Sequence, residues 1–219
     1  MIDDQLKWVI DFLQSKKINF WVDSGTLLGI IRDGHTIKED NDIDIGMWAS
    51  DINIILSALK KQIVYKIKIF KYRKYIFKIK LYNNIFKYTI DINLFRINRD
   101  NAWCPQTILV NQKDIYSIKK YFHFIFIPII YRLKERWPFS IDYYDFFWRP
   151  FHASGVWLIP KTFFEELIYF GPYKIPVPRQ YDSYLSLRYG NWRIKNSKWN
   201  FWEDDKGLKH NIHDYIEFA

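Results

Sequence analysis

The stretch EDNDIDIG, early in the chain, constrains the fold more than any other part of the sequence. Its three aspartates, Asp40, Asp42 and Asp44, are spaced two residues apart, and an isoleucine follows each of the last two. Side chains alternate between faces along a β-strand, so the aspartates would share one face while the isoleucines point into a core. Like charges on one face repel each other unless a cation lies between them. The pattern therefore predicts a half-buried strand whose acidic face meets a metal ion, a lysine or only water.

The composition indicates a protein with a large core. Of its 219 residues, 49% are hydrophobic and 20% are aromatic, which makes disorder improbable on compositional grounds. No linker rich in Gly, Ser or Pro divides the chain. We therefore expect one domain over residues 1–219, with a catalytic core at about 1–100 and an elaboration at about 101–219. Cys104 is the only cysteine, which excludes an intramolecular disulfide and a cysteine-based zinc site.

Several features favour a cytoplasmic location. A single cysteine suits a reducing compartment, and the first residues lack the basic start and apolar run of a signal peptide. The longest apolar stretch, YFHFIFIPIIY at residues 121–131, is too short to span a bilayer. We interpret it as a buried segment or, alternatively, as a place where the protein docks peripherally at the inner face of the cytoplasmic membrane.

The formal net charge of +9 raises the question of a nucleic-acid partner. The basic residues are mostly lysines in a chain that is also rich in Ile, Asn, Tyr and Phe, a bias that AT-rich codons would produce. The sequence contains no zinc finger, no aromatic RNA-binding motif and no arginine-rich arm. We therefore expect no nucleic-acid partner, and a basic surface would suit a phosphorylated substrate equally well.

The hydrophobic pattern alternates between helix and strand over the first hundred residues. Apolar residues recur at helical spacing over residues 3–16, which predicts an amphipathic helix. We then expect a short buried strand, a glycine turn leading into a short helix, the acidic strand and another helix. Strong alternation predicts antiparallel strands at residues 64–72, 75–82 and 88–95. Four alternating lysines are predicted to form a solvated face of these strands: Lys66, Lys68, Lys78 and Lys80.

From about residue 100 the sequence becomes irregular and rich in aromatic residues, and we expect helices there. The segment QYDSYLSLRYG predicts a helix that ends at Gly190. The predicted fold class is therefore α+β: a mixed or antiparallel sheet with helices packed on it, followed by an irregular, aromatic- and helix-rich C-terminal half.

The acidic strand has a candidate partner in the segment YTIDINLF. Asp91 lies there between isoleucines that would be buried, so its carboxylate would point to the opposite face. Hard oxygen ligands of this kind suit Mg²⁺ or Mn²⁺, and a centre for phosphoryl transfer needs two or three carboxylates. If the two strands are neighbours, Asp42, Asp44 and Asp91 would surround the metal.

The segment DSGTLLG, just before the acidic strand, suits a phosphate group. A Ser-Gly-Thr turn at the start of a helix offers backbone N–H groups and hydroxyls to an anion, and a glycine allows close approach of the backbone. Ser24, Gly25 and Thr26 are therefore candidate substrate-binding residues. A glycine turn, an acid pair on the next strand and a lone acid on a later strand together match the nucleotidyltransferase pattern, whose fold is a mixed sheet with helices.

Two blocks of sequence resemble the LicD/fukutin family of phosphotransferases. The first is GTLLGIIRDGHTIKEDNDIDIG, with its glycine-threonine turn, Arg32 and the acid triplet; the second is YFGPYKIPVPRQYDSYLSLRYGNW, with a proline-containing segment before a helix that ends in Tyr-Gly-x-Trp. One departure is Glu39, because the family often has tryptophan before this acid. Residues 100–150 carry no recognisable part of the resemblance.

The resemblance implies the transfer of a phosphorylated alcohol, such as phosphocholine, ribitol phosphate or glycerol phosphate, from a CDP-linked donor to a hydroxyl of a cell-surface glycan, which can be lipid-linked. CMP would be released. Asp42 and Asp44 would bind Mg²⁺, and Asp91 would be the third acid or would accept the proton of the attacking hydroxyl. Gly25 and Thr26 would hold the donor, Arg32 would neutralise developing charge, and Asp40 would support the site.

Other interpretations of the same residues stay open. The acids would equally serve a nucleotidyltransferase that moves NMP from an NTP to a small molecule or protein. A non-catalytic basic module that binds glycan or nucleic acid is a third alternative. Arg32 could form a surface ion pair, Asp40 could have only a structural role, and Arg188 is one of several basic residues that could bind phosphate.

Overall fold

The computed structural model describes residues 3–72, 75–109 and 152–210. The first half contains three helices, α1 Asp4–Ser15, α2 Ser24–Asp33 and α3 Ile52–Leu59, and five strands, β1 Phe20–Val22, β2 Asp42–Trp48, β3 Lys66–Tyr72, β4 Tyr75–Tyr82 and β5 Thr89–Asn98. The second half contributes β6 Asn101–Leu109, β7 His152–Pro160, β8 Leu167–Phe170, β9 Ile175–Pro178, α4 Tyr181–Tyr189, α5 Phe201–Asp204 and β10 Leu208–His210.

An eight-stranded mixed sheet forms the centre of the fold. Its middle strand, β5, runs parallel to β2 and antiparallel to β4. On the outer sides, β1 pairs with β2 and β3 pairs with β4, both antiparallel. The end of β5 turns into β6, and the sheet then continues through β7 to β10. The fold class is α+β with a mixed sheet, as the sequence predicts.

Helix α1 joins the core that the isoleucines of β2 and β5 build. Its stripe of Leu6, Val9 and Leu13 is fully buried in the same apolar cluster as Ile43 and Ile90. The helix begins as predicted, because the carboxylate of the N-cap residue Asp3 accepts a hydrogen bond from the Gln5 backbone. This burial fixes which face of β2 points inward, and the aspartates between the isoleucines must then point to the other face.

The described part of the C-terminal half contains more β-strand than the sequence predicts. Strands β6 and β7 pair along nine residues each, and three further short strands follow. Aromatic and β-branched residues fit a pleated surface better than a helix, and Trp103, Val156, Trp157 and Ile159 are buried on these strands. The helix predicted to end at Gly190 is confirmed as α4, and Gly190 adopts a φ of 64° at its end.

No helix in the described ranges is long and apolar enough to cross a membrane. The apolar segment at residues 121–131 lies outside the described residues. The single-domain organisation over residues 1–219 stays a prediction for the same reason, because residues 110–151 connect β6 to β7.

Helix α4 is fixed to the C-terminal end of the described chain through a buried arginine. The Arg188 guanidinium donates from Nε and Nη2 to the Asp205 carboxylate at 2.9 and 2.7 Å. The two side chains are only 1% and 0% exposed. Trp157 donates to the same carboxylate, and its ring lies 4.1 Å from the guanidinium carbon. Arg188 is therefore a structural cation in the interior, not a surface residue that is free to bind phosphate.

The same arginine reaches the start of α2. Its Nη1 donates to the Ser24 hydroxyl at 2.8 Å and to the Tyr184 hydroxyl at 3.1 Å. Tyr184 in turn donates to the carboxylate of Asp23, which caps α2. Burial raises the pKa of Asp23, and the neighbouring Arg188 charge opposes that rise. The second block of family-like sequence thus holds the turn that the first block provides.

We expect Arg188→Met to lower the free energy of unfolding by about 3–5 kcal/mol, because it leaves the Asp205 carboxylate buried without a cation. Urea unfolding monitored by circular dichroism would measure this. The matched control is Arg193→Met, since Arg193 also pairs with an aspartate, Asp182, but the two side chains are 61% and 53% exposed. That exposed pair should contribute less than about 1 kcal/mol, and equal losses in the two variants would contradict the prediction.

Candidate active site

The parallel pairing of β2 with β5 brings the three predicted acids together. In this register Asp44 lies opposite Asp91 and Asp42 lies opposite Thr89. One carboxylate oxygen from each of Asp42, Asp44 and Asp91 lies within 4.8 Å of the other two. The sequence predicts that the acids meet only if their two strands are neighbours. The structure shows that β2 and β5 are directly paired. We call these three residues the acidic centre.

The acidic centre carries unbalanced negative charge. Burial raises the pKa of Asp42 to about 7, and its hydrogen bond and repulsion with Asp40 add to the rise. Burial also raises the pKa of Asp44 well above its usual range, with further repulsion from Asp42 and Asp91. Carboxylates that resist ionisation in this way favour the approach of a cation.

Two lysines place positive charge beside these carboxylates, although the sequence predicts that they lie on a solvated face. Lys78 Nζ lies 3.0 Å from Asp91 Oδ2, and Lys80 Nζ lies 3.2 Å from Asp91 Oδ1. The pairing of β4 with β5 places Lys80 opposite Asp91 and Lys78 opposite Asn93. Burial alone would lower the pKa of Lys78, but attraction to Asp91 and Asp44 outweighs it and raises that pKa. Lys78 and Lys80 therefore belong to the acidic centre.

The donor atoms of the acidic centre fit a hard divalent cation. Three carboxylates offer only oxygen ligands, the kind that Mg²⁺ and Mn²⁺ prefer. Asp91 Oδ1 is buried and, although Lys80 lies nearby, accepts no hydrogen bond from any described residue. Neither Asp42 nor Asp44 has an ion-pair partner in the described part of the chain. Two of the three acids thus have no direct ion pair with any described residue.

The predicted turn lies directly against the acidic strand. Asp44 donates its backbone N–H to the Thr26 hydroxyl at 2.8 Å and accepts a hydrogen bond from the Asp23 backbone at 3.0 Å. Ser24 is held at a φ of 49°, a left-handed conformation that costs free energy in a residue other than glycine. The Ser24 and Thr26 side chains are buried, and their hydroxyls are bonded within the protein. Both side chains therefore position the turn, and the Ser24 backbone N–H donates to the carboxylate of the N-cap residue Asp23.

Asp40 lies between this turn and the acidic centre. A Cβ atom added to Gly25 would be only 2.5 Å from Asp40 Oδ2, so the glycine is needed for this close approach. Asp40 accepts a hydrogen bond from the Asn41 backbone at 3.0 Å and lies beside Asp42. Its position suits a supporting role at the edge of the centre.

A cavity of about 860 Å³ opens from Gly25 and Asp40. One wall comes from the end of α2 and the loop after it, with Arg32 and Lys38. The facing wall comes from the segment after α4, with Lys195 and a group of aromatic residues, Tyr189, Trp192 and Trp199. A cavity with cations and flat aromatic rings next to an acidic centre can accept a ligand that carries both phosphates and a ring.

Arg32 lies in the wall of this cavity and not among the three acids. Its guanidinium makes two hydrogen bonds to the carboxylate of its neighbour Asp33, at 3.0 and 2.8 Å. This pair lowers the pKa of Asp33. The arginine is thereby held in place in the cavity wall that Gly25 and Asp40 also line.

Some residues at the site carry no sequence signal that identifies their role. Lys78 and Lys80 alternate like surface residues, and only the register of β4 against β5 brings them to Asp91. Tyr184 and Asp205 reach the site through contacts between distant segments. The period-two pattern could have placed the two lysines on the acidic face, but it could not have given their position along the strand.

A search of protein-family models matches residues 17–133 to "LicD/FKTN/FKRP, nucleotidyltransferase domain". The matched segment contains the turn, the acidic strand, both lysines and Asp91. No curated protein matches the chain.

Among solved structures, the crystal structure of ANT(2″)-Ia in complex with adenylyl-2″-tobramycin is similar with 12% sequence identity and a TM-score of 0.33. The similarity covers 46% of this chain and 55% of that one, so it spans about half of each protein. The family model, by contrast, matches more than half of the 219 residues and includes the whole acidic centre. The chain belongs to the LicD/FKTN/FKRP family and carries that family's nucleotidyltransferase domain.

Proposed function

We propose that this protein is a metal-dependent phosphotransferase that moves a phosphorylated alcohol from a CDP-linked donor to a hydroxyl of a cell-surface glycan and releases CMP. Membership of the family implies phosphotransferase activity on glycans. The observation that carries the proposal is the convergence of Asp42, Asp44 and Asp91 within 4.8 Å, directly beside the start of α2. Phosphoryl transfer depends mainly on positioning and on neutralising charge, and this arrangement supplies both.

In this proposal Asp42 and Asp44, with Asp91 as the third acid, would hold Mg²⁺ or Mn²⁺. The bound ion would neutralise charge on the donor diphosphate. The protein's own part is to bring that diphosphate to the acids, and the start of α2 is suited to it because the first N–H groups of a helix attract anions. At this turn Gly25 lets the Asp40 carboxylate lie close to the backbone, because a Cβ atom there would be 2.5 Å from Asp40 Oδ2.

The cavity would hold the rest of the donor. Arg32 and Lys195 lie in its walls and would attract the phosphates. Trp199 is half-buried in the facing wall, packs against Tyr189 at 4.6 Å between ring centroids, and offers an aromatic face on which a cytosine ring could stack. Its Nε1 is buried and has no hydrogen-bond partner among the described residues.

The reaction would proceed by displacement at the phosphorus that carries the alcohol. The oxygen of the glycan hydroxyl forms the new P–O bond, and its proton passes to a carboxylate of the acidic centre. The bond from this phosphorus to the oxygen of the CMP phosphate breaks, and CMP leaves. Because both oxygens of Asp91 are in ion pairs with lysines, we assign Asp91 to charge balance and leave proton transfer to Asp42 or Asp44.

The decisive experiment determines whether the protein releases CMP, as a phosphotransferase would, or pyrophosphate, as a nucleotidyltransferase would. The protein is incubated with Mg²⁺ and CDP-choline, CDP-ribitol, CDP-glycerol or each of the four NTPs, and the products are separated by chromatography. We expect CMP from one CDP-alcohol, by slow hydrolysis when no acceptor is present. Release of pyrophosphate from an NTP would instead favour the nucleotidyltransferase alternative. Salt-sensitive binding without turnover of any of these compounds would favour a glycan- or nucleic-acid-binding module.

Replacing Asp42 or Asp44 with asparagine should lower turnover by at least about 100-fold, because a charged ligand near the reacting phosphate is lost. Without metal, the same variants should be as stable as the unmodified protein or more stable. A carboxyl whose pKa is raised in the folded state stabilises the fold at low pH and loses that contribution as the pH rises through its folded pKa, which is about 7 for Asp42. Asparagine has no charge to lose.

The measurements for these variants are CMP release and the thermal midpoint at pH 8 with a chelator present. Asp11→Asn is the matched control, since Asp11 is a 58% exposed aspartate on α1 that pairs only with Lys7. Substantial turnover in Asp42→Asn and Asp44→Asn would reject the assignment of these acids.

Replacing Trp199 with alanine should weaken the binding of CDP by about 5- to 150-fold, since stacking of a base on an aromatic ring contributes about 1–3 kcal/mol. Isothermal titration calorimetry with CDP and Mg²⁺ would measure the change. The control is Trp202→Ala, because Trp202 is a half-buried tryptophan of the same segment that does not line the cavity. If both variants bind CDP equally well, the cavity is not the nucleoside site.

A further inference from the structure

Lys78 and Lys80 divide the acidic centre into two electrically different parts. Asp91 is only 4% exposed, and an ammonium group lies next to each of its oxygens, at 3.0 and 3.2 Å. Asp42 and Asp44 have no such partner among the described residues. One acid is therefore neutralised by the protein itself, whereas the other two depend on a cation from solution.

This division bears on how many metal ions the centre can hold. A two-metal centre for phosphoryl transfer places two ions about 3.5–4 Å apart, with carboxylates that reach both. A second divalent ion at Asp91 would lie within a few ångströms of two ammonium groups, and the repulsion between these cations would oppose its binding. With three carboxylates and two ammonium groups, the centre has a formal charge of only −1, which one divalent ion already outweighs.

Lys78 is also placed to act on more than Asp91. One carboxylate oxygen from each of Asp42, Asp44 and Asp91 lies within 4.8 Å of the other two, so an ammonium group 3.0 Å from Asp91 lies near the whole centre. The side chain is half-buried, with 21% of its surface exposed. A fixed cation in this position can stabilise negative charge on a transferring phosphoryl group as a second metal ion would.

We propose that the protein has a one-metal centre in which Lys78, supported by Lys80, takes the place of a second divalent ion. The proposal rests on the proposed function, since it requires that Asp42 and Asp44 bind a metal. In this proposal Lys78 stabilises negative charge on the transferring phosphoryl group, and Lys80 positions Asp91.

The test counts Mn²⁺ ions bound to the full chain, using electron paramagnetic resonance to measure free Mn²⁺ and calorimetry to measure affinity. We expect one ion per chain in the unmodified protein. Lys78→Met should bind a second ion, or bind the first at least tenfold more tightly, because a competing positive charge is gone. Its turnover should nevertheless fall by about 100-fold. Lys78→Arg keeps the charge and should keep one ion with unchanged affinity.

The matched control is Lys66→Met, because Lys66 is an exposed lysine of the same alternating series, opposite Tyr82 on the pairing of β3 with β4. It should change neither the number of ions nor turnover. Circular dichroism confirms that each variant is folded. If Lys78→Met is unfolded, the number of ions bound to the unmodified protein still decides the proposal.

Two ions in the unmodified protein, or identical Mn²⁺ binding in Lys78→Met and the unmodified protein, would overturn the one-metal proposal and leave the proposed function intact. No Mn²⁺ binding in the unmodified protein would instead reject the proposed function, and the one-metal proposal with it.

Discussion

Repulsion among carboxylates on two adjacent parallel strands is the constraint on which the rest of this structure depends. The pairing of β2 with β5 places Asp44 opposite Asp91, and water is largely excluded from this position, so each charge raises the cost of the others. The opposite face of the same strands provides the compensation. Buried isoleucines such as Ile43, Ile45, Ile90 and Ile92 contribute about 1.5–3 kcal/mol each. The apolar face thus holds in register an acidic face that would separate on its own.

The second requirement is a rigid turn next to that acidic face, and the distant C-terminal segment provides it. Ser24 is held in a left-handed conformation, which persists only where surrounding contacts fix it. Arg188, which bonds to Ser24, Tyr184 and Asp205, connects the turn to two segments that lie far along the chain. The Tyr-Gly-x-Trp block therefore serves the site in two ways, because its helix braces the turn and the residues after it line the cavity.

The sequence predicted those parts of the fold and site that depend on local periodicity. Alternation placed Asp42, Asp44 and Asp91 on one kind of face. Helical spacing predicted α1 nearly to the residue, and the glycine after its last turn predicted the end of α4. Strand register, in contrast, depends on how a loop closes, and a shift of one residue would turn each lysine to the other face. The prediction that Lys78 and Lys80 lie on a solvated face was therefore wrong. The strands of the second half were also missed, because aromatic residues occur in helices and strands alike.

The two lysines and the proposed metal ion would differ in when they act on the acidic centre. Lys78 and Lys80 are part of β4 and neutralise Asp91 as soon as β4 pairs with β5. Asp42 and Asp44 keep their repulsion until an ion arrives from solution, so that ion would add its binding free energy to the stability of the fold. The proposed ion would therefore relieve strain in β2, the strand whose backbone also bonds to Thr26 and Asp23. Under the proposed function, ion binding would be coupled to the geometry of this turn through Asp44.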